Sequence, residues 1–165
     1  MKIWSFIKKL NKFEKLYIIL FTSSILVGIT YGLINQDYFK CCEDAIGVPE
    51  EGTSPIKIFT SNYLLSLTEL ITAGISSLYY NFHTFSVTAS YLESENALYM
   101  IVIILLIGGF ELVGSLLMAL TGFSFVEQNI LKIRSNLNYR ILFLYGTTLI
   151  FVGAIIEYLL LRPLF

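Results

Sequence analysis

Residues 97–120 read ALYMIVIILLIGGFELVGSLLMAL, with one formal charge, Glu111, in the whole run. About twenty consecutive apolar residues make a helix long enough to cross a hydrocarbon core about 30 Å thick. Working outward, Ile141–Leu161 is a second such run, carrying only Glu157. Leu16–Ile34 is a third, with no charge at all, and Ile58–Leu92 is a long apolar stretch holding Glu69 and His83. Composition agrees: 56% of the 165 residues are hydrophobic and 14% charged, with a mean hydropathy of +0.73. Soluble domains carry about 45–50% apolar and about 25% charged residues. The expected class is all-α, a polytopic transmembrane helical bundle in the cell membrane with the lipid bilayer as its first partner. Disorder is excluded by 13 Phe and 11 Tyr. A balance of 11 basic and 12 acidic residues argues against nucleic acid as a partner.

About five hydrophobic segments are expected, at 16–34, 58–80, 82–92, 97–120 and 141–161, making one transmembrane domain over 16–165. Four are full spans. Phe82–Leu92, at eleven residues, rises only about 16 Å and is either a short crossing or a re-entrant piece. Asn81 offers the turn before it, and Gly74, Ser76 and Ser77 could loosen the helix midway. Residues 1–15, MKIWSFIKKLNKFEK, place Ile3, Phe6, Ile7, Leu10 and Phe13 at helical spacing among five lysines. That pattern predicts an amphipathic basic helix lying in the headgroup layer rather than a cleaved leader. Gly28 and Gly32 form a GxxxG pair that would admit a neighbouring helix.

Basic residues in short loops face the cytoplasm. The five N-terminal lysines put that end inside, so the Asn35–Lys57 loop, of net charge −3, lies outside. Counting 82–92 as a crossing sends the acidic 93–96 turn outside and the Thr121–Arg140 loop, of net charge +2, inside. Four crossings would reverse both. The adjacent Cys41 and Cys42 cannot form a relaxed disulfide with each other, and no CxxC or companion His makes a metal site.

Polar residues inside the apolar runs are the candidate functional or partner-docking positions: Glu111, Gly108, Gly114, Glu69, Asn62, Asn81 and His83. A carboxyl at membrane depth must face a bundle interior, a wet cavity or a partner. Glu111 is the most central, with Gly108, Gly114 and Ser115 forming a small-residue face around it. Glu157, nearer a helix end, is within reach of Arg162. No catalytic residues, metal ligands or cofactor site are expected, because HExxH, GxSxG, Walker A and GxGxxG patterns are all missing.

The order of features from Ile58 onward resembles the stage II sporulation protein M family. Ser61-Asn62 stands where that family opens a segment with paired Asn, Gly74 at a family glycine, and Asn81-Phe82 at its Asn-Gly. The later Pro-His-Gly-x-x-Glu motif is similar to Leu106-Ile107-Gly108-Gly109-Phe110-Glu111, with Gly114 and Gly122 behind it. Gly108 and Glu111 match, and the family's Pro and His are replaced. The resemblance, over roughly 58–125, implies a five-span, non-enzymatic membrane component that acts as a scaffold or complex subunit. Other membrane proteins or further copies of this chain are then its partners. A permease-like transport subunit, working with a separate ATPase or an ion gradient, is the alternative. The purified chain is expected to be monodisperse only with detergent or lipid present; monodispersity in plain buffer by light scattering would overturn the class.

Overall fold

The structure is a computed structural model and describes residues 10–35, 54–90, 108–133, 135 and 137–161. Those residues fold as five helices: α1 (Lys12–Ile34), α2 (Pro55–Ile71), α3 (Ile75–Ser90), α4 (Gly109–Asn129) and α5 (Tyr139–Leu161). No strand occurs among the described residues. α1, α4 and α5 are long and apolar enough to cross a membrane. At 17 and 16 residues, α2 and α3 are shorter, each rising about 25 Å.

Local chemistry explains where these helices begin and end, and it corrects several sequence expectations. α1 starts at Lys12, four residues before the expected span. Asn11 caps it: the Asn11 side chain accepts from the Glu14 N–H at 2.8 Å, and the Glu14 carboxylate accepts from the Asn11 N–H at 2.7 Å. This reciprocal box satisfies two donors that a helix start leaves bare. Lys12–Lys15 therefore belong to the long apolar helix and Leu10 and Asn11 precede it outside any helix, while residues 1–9 of the expected amphipathic helix lie outside the described residues. α2 opens at Pro55, where the missing N–H costs nothing, with Ser54 accepting from the Lys57 N–H at 3.2 Å.

The break in the long 58–92 stretch falls at residues 72–74 and not at Asn81, which sits buried within α3. The Gly74 N–H reaches back to the Glu69 carbonyl at 2.7 Å and the Ala73 N–H to the Leu70 carbonyl at 3.2 Å. Those two bonds make a Schellman ending, with Ala73 at φ 50° and Gly74 at φ 83°. Only glycine takes such angles freely, and Ala73 accepts a strain of about 1–2 kcal/mol. Thr72 then turns its hydroxyl to the Ser76 N–H at 3.2 Å, supplying a bond at the start of α3. Two nearly equal helices result, in place of one full span and one short piece.

α4 also departs from expectation, continuing to Asn129 through the first residues of the expected Thr121–Arg140 loop. Thr121, Gly122, Ser124 and Glu127 look loop-like in sequence, yet all are buried against neighbouring helices. Gly108, at φ −61° and ψ −27°, is itself in helical conformation. Residues 91–107, which include the first eleven residues of the 97–120 run, lie outside the described residues. α5 begins at Tyr139, after Asn138 accepts from the backbone N–H groups of Arg140 and Ile141.

Contacts fix the relative directions. Tyr17 meets Gly74 and Ser77, Gly28 meets Phe82, and Gly32 meets Ser86, so α1 and α3 run parallel. α4 is antiparallel to α5, with Gly114 against Ile150 and Glu111 against Gly153. It is antiparallel to α1 as well, where Phe123 stacks on Tyr17 at 5.6 Å. Asn62 meets Glu111 and Leu70 meets Gly122, making α2 parallel to α4. Successive helices thus alternate in direction. The N-terminus of α1, the 72–74 turn and the α4–α5 connection share one end of the bundle.

Beside a buried apolar cluster that includes Tyr17, Phe21 and Leu120, the burial pattern departs from that of a soluble bundle. Ser66, Glu69, Ser77, Asn81, Ser86, Ser90 and Ser124 are buried, while Ile19, Leu26, Leu144 and Tyr145 are each about 60% exposed or more. An apolar surrounding makes that distribution favourable, since there the unpaired polar group carries the larger penalty.

The α1–α3 contact depends on the glycine pair. A Cβ on Gly28 or Gly32 would overlap the backbone carbonyls of Phe82 and Ser86, atoms that cannot step aside. Gly32→Leu is expected to lower stability in detergent by about 1–3 kcal/mol, the usual range for overpacking. Leu26→Ala, on the outward face of the same helix, should shift it by less than about 0.5 kcal/mol. Thermal unfolding of both variants checks the contrast.

Candidate functional site

Three helices each carry a polar stripe at helical spacing, and the fold turns the three toward one space. On α2 the stripe is Asn62, Ser66 and Glu69; on α3 it is Asn81, Thr84 and Thr88; on α4 it is Gly108, Glu111 and Ser115. Spacings of three, four and seven residues put each set on one helical face. α2 and α3 touch little beyond the turn that joins them, and the cleft between them, walled by α4, encloses about 280 Å³. Leu65, Phe85, Leu112 and Ile150 supply its apolar wall. None of the described residues lining it is Lys, Arg or His.

Glu69, 2% exposed, uses one carboxyl oxygen to accept from the Ser115 hydroxyl at 2.7 Å. Its second oxygen, Oε2, has no hydrogen-bond partner among the described residues. The amide nitrogen of Asn81 is in the same condition, on a side chain 6% exposed. A buried donor or acceptor left bare costs about 1–3 kcal/mol, so two in one cleft are a strong structural statement.

Glu111 is occupied differently. Asn62 donates its amide N–H to the Glu111 carboxyl, and Glu157 of α5 closes on the same group. Gly153 leaves room for this approach, its Cα facing the Glu111 side chain. Two carboxyls from α4 and α5 thus lie side by side, with the Asn62 amide next to both. The expected pairing of Glu157 with Arg162 falls partly outside the described residues; what the structure places beside Glu157 is Glu111.

Of the seven candidate positions, Asn62, Glu69, Asn81, Gly108 and Glu111 converge on the cleft. Gly114 faces elsewhere, toward Gly146 and Ile150 of α5, where it allows the two helices to close. His83 is exposed, its ring 6.1 Å from that of Tyr79. Cys41 and Cys42 lie outside the described residues. Among those that are described, no three His, Cys, Asp or Glu side chains gather as metal ligands would. Sequence reasoning did not single out Ser66, Thr84 and Thr88. Their recurrence in step with Asn62, Glu69 and Asn81 is the signal that identifies them.

A second polar cluster, also unanticipated, ties the other end of the bundle together. Glu14 and Glu127 are almost fully buried. The Asn11 amide donates to both Glu127 oxygens, at 3.1 and 3.0 Å, and Ser135 donates to Glu14. Gln128 completes the network by donating to the Leu137 carbonyl at 2.9 Å. Asn11 three residues before Glu14 is a capping-box pattern readable in sequence; that Glu127 joins it is not. Nearby, the Tyr17 hydroxyl donates to the Gly74 carbonyl at 3.1 Å, pinning the α2–α3 turn to α1.

The fold and cleft describe a polar-cored helical bundle of the kind built for a membrane. Compared with known proteins, the chain matches no family model, no curated protein and no solved structure.

A double-mutant cycle tests the carboxyl pair. Glu111→Leu and Glu157→Leu are expected to be non-additive in unfolding free energy by at least about 0.5 kcal/mol, as contacting residues are. Glu111→Leu combined with Glu127→Leu should be additive within about 0.5 kcal/mol, because sixteen residues of helix separate the two sites by about 24 Å.

Proposed function

We propose that the protein is a multi-pass membrane protein in which all five helices cross the bilayer, and that it works as a permease-like, solute-handling subunit. The observation that carries this reading is the cleft between α2 and α3, with carboxyl and amide groups turned inward and two of them unpartnered. Pathways through membrane proteins are commonly built where short or interrupted helices line a polar space. The α2–α3 pair, two helices of about 25 Å joined by a tight turn, has that character. Alternating directions support five crossings, with the five-lysine N-terminus in the cytoplasm.

The resemblance to the stage II sporulation protein M family favours a second reading, a non-enzymatic scaffold or complex subunit. Recruitment through Glu111 draws no support from the geometry, because Asn62 and Glu157 of the same chain engage that carboxyl. A scaffold role would use the outward faces instead.

Topology and transport are tested separately. With Cys41 and Cys42 changed to Ser, Ser94→Cys is expected to react with a membrane-impermeant maleimide in intact cells, and Thr72→Cys only after permeabilisation. The reverse pattern at residue 94 would overturn the five-crossing arrangement. Proteoliposomes holding the full chain are expected to show solute flux that Glu111→Leu reduces at least tenfold. Equal flux in wild type and variant, or none in a correctly folded wild type given an ion gradient or an ATPase partner, removes the transport reading.

A further inference from the structure

We infer that the α2–α3 cleft binds a small organic ammonium that also carries an oxygen acceptor, with Glu69 receiving the ammonium and Asn81 donating to the oxygen. This deepens the solute-handling reading and shares its cleft, but binding is a separate measurement from flux.

The argument begins with what each unpartnered atom needs. Glu69 Oε2 is an acceptor, nearly sealed from solvent, whose sister oxygen is already satisfied by Ser115. A donor must meet it. Asn81 Nδ2 is a donor, buried to a similar degree, and calls for an acceptor. The two side chains come from opposite walls of one cleft, so a single molecule with a donor at one end and an acceptor at the other answers both.

Charge then selects the donor. Glu69 and Glu111 line the space, Glu157 stands behind Glu111, and among the described residues no cationic side chain lines it to compensate. A carboxylate of the ligand at the Glu69 and Glu111 end would face two carboxyls with no cation to offset them, which disfavours acids. An ammonium supplies charge as well as N–H donors, and a charge-assisted bond is roughly twice as strong as a neutral one. Size sets the rest. Sites for drug-sized ligands run to about 300–1,000 Å³, and this one, at about 280 Å³, suits a smaller molecule. Leu65, Phe85 and Leu112 offer contact to a short alkyl body rather than to a hydrated inorganic ion. Ordered water would also bridge two polar groups, and the experiment separates it from a ligand.

Three probes of nearly equal size divide the possibilities: 3-aminopropan-1-ol, which has both ends; propane-1,3-diol, isosteric but without charge; and n-propylamine, charged but without the oxygen. Each is titrated against the full chain in lipid nanodiscs, reading the shift in thermal unfolding, which rises with occupancy of a site in the folded state. The expected result is a saturable shift with 3-aminopropan-1-ol, at least tenfold weaker binding of the diol, and intermediate binding of propylamine. Glu69→Gln should weaken the aminoalcohol at least tenfold. Asn81→Leu should remove its advantage over propylamine while leaving propylamine unchanged. Because the three-probe ranking is read on the wild-type chain, a variant that fails to fold does not spare the inference. Equal shifts with the diol and the aminoalcohol, or no saturable shift with any probe, would overturn it and leave the cleft holding water only. Saturable amine binding without flux would sustain this inference and remove the transport reading; flux of other solutes without amine binding would do the opposite.

Discussion

A polar atom that cannot reach water must find its partner within the protein, and that constraint organises this bundle. Many leucines and isoleucines face outward, while a set of serines, asparagines and glutamates is buried beside a smaller apolar core that includes Leu120 and Ile150. With apolar surfaces no longer driven together by water, helices associate through close backbone approach and hydrogen bonds. Both devices are in use. Gly28 and Gly32 bring α1 against α3, and Gly122 brings α4 against α2. Asn11, Tyr17, Ser115 and Asn62 each donate a bond from one helix to another or to its turn.

The bonds are unevenly distributed, and the unevenness separates structure from site. At the Glu14–Glu127 end the network closes: the amide, hydroxyls and carboxyls there are engaged with one another and with a backbone carbonyl. In the α2–α3 cleft it does not close, since one Glu69 oxygen and the Asn81 nitrogen lack partners. The first cluster reads as a fastening between α1, α4 and the connection to α5. The second leaves an acceptor and a donor bare at the same cleft. Between them, the Tyr17 hydroxyl on Gly74 fixes the turn from which α2 and α3 spread apart.

Much of the architecture was legible because hydrophobic length is a local property. Residues 16–34 and 141–161 announce helices by composition, and the Gly28–Gly32 spacing announces a close neighbour without saying which. Element boundaries were less legible. Thr121, Ser124 and Glu127 read as a loop because polarity in sequence does not distinguish a solvated connection from a helix face buried against another helix. Asn81 looked like a turn for the same reason. The actual turn at Thr72-Ala73-Gly74 was visible only as a weak spot, since its Schellman bonds and the Tyr17 anchor depend on atoms elsewhere in the chain. Within the candidate site, Asn62, Glu69, Asn81, Gly108 and Glu111 stood out singly as polar or small residues in apolar surroundings.

The sequence alone determined that the chain is helical, that apolar length dominates it, and that a handful of carboxyls and amides had to be sheltered. Those follow from the chemistry of each segment taken by itself. Only the tertiary structure decided who shelters whom: Asn62 and Glu157 around Glu111, Ser115 on half of Glu69, Asn11 on Glu127. Such pairings join residues dozens of positions apart, and their selection rests on the direction and spacing of packed helices, which no local pattern encodes.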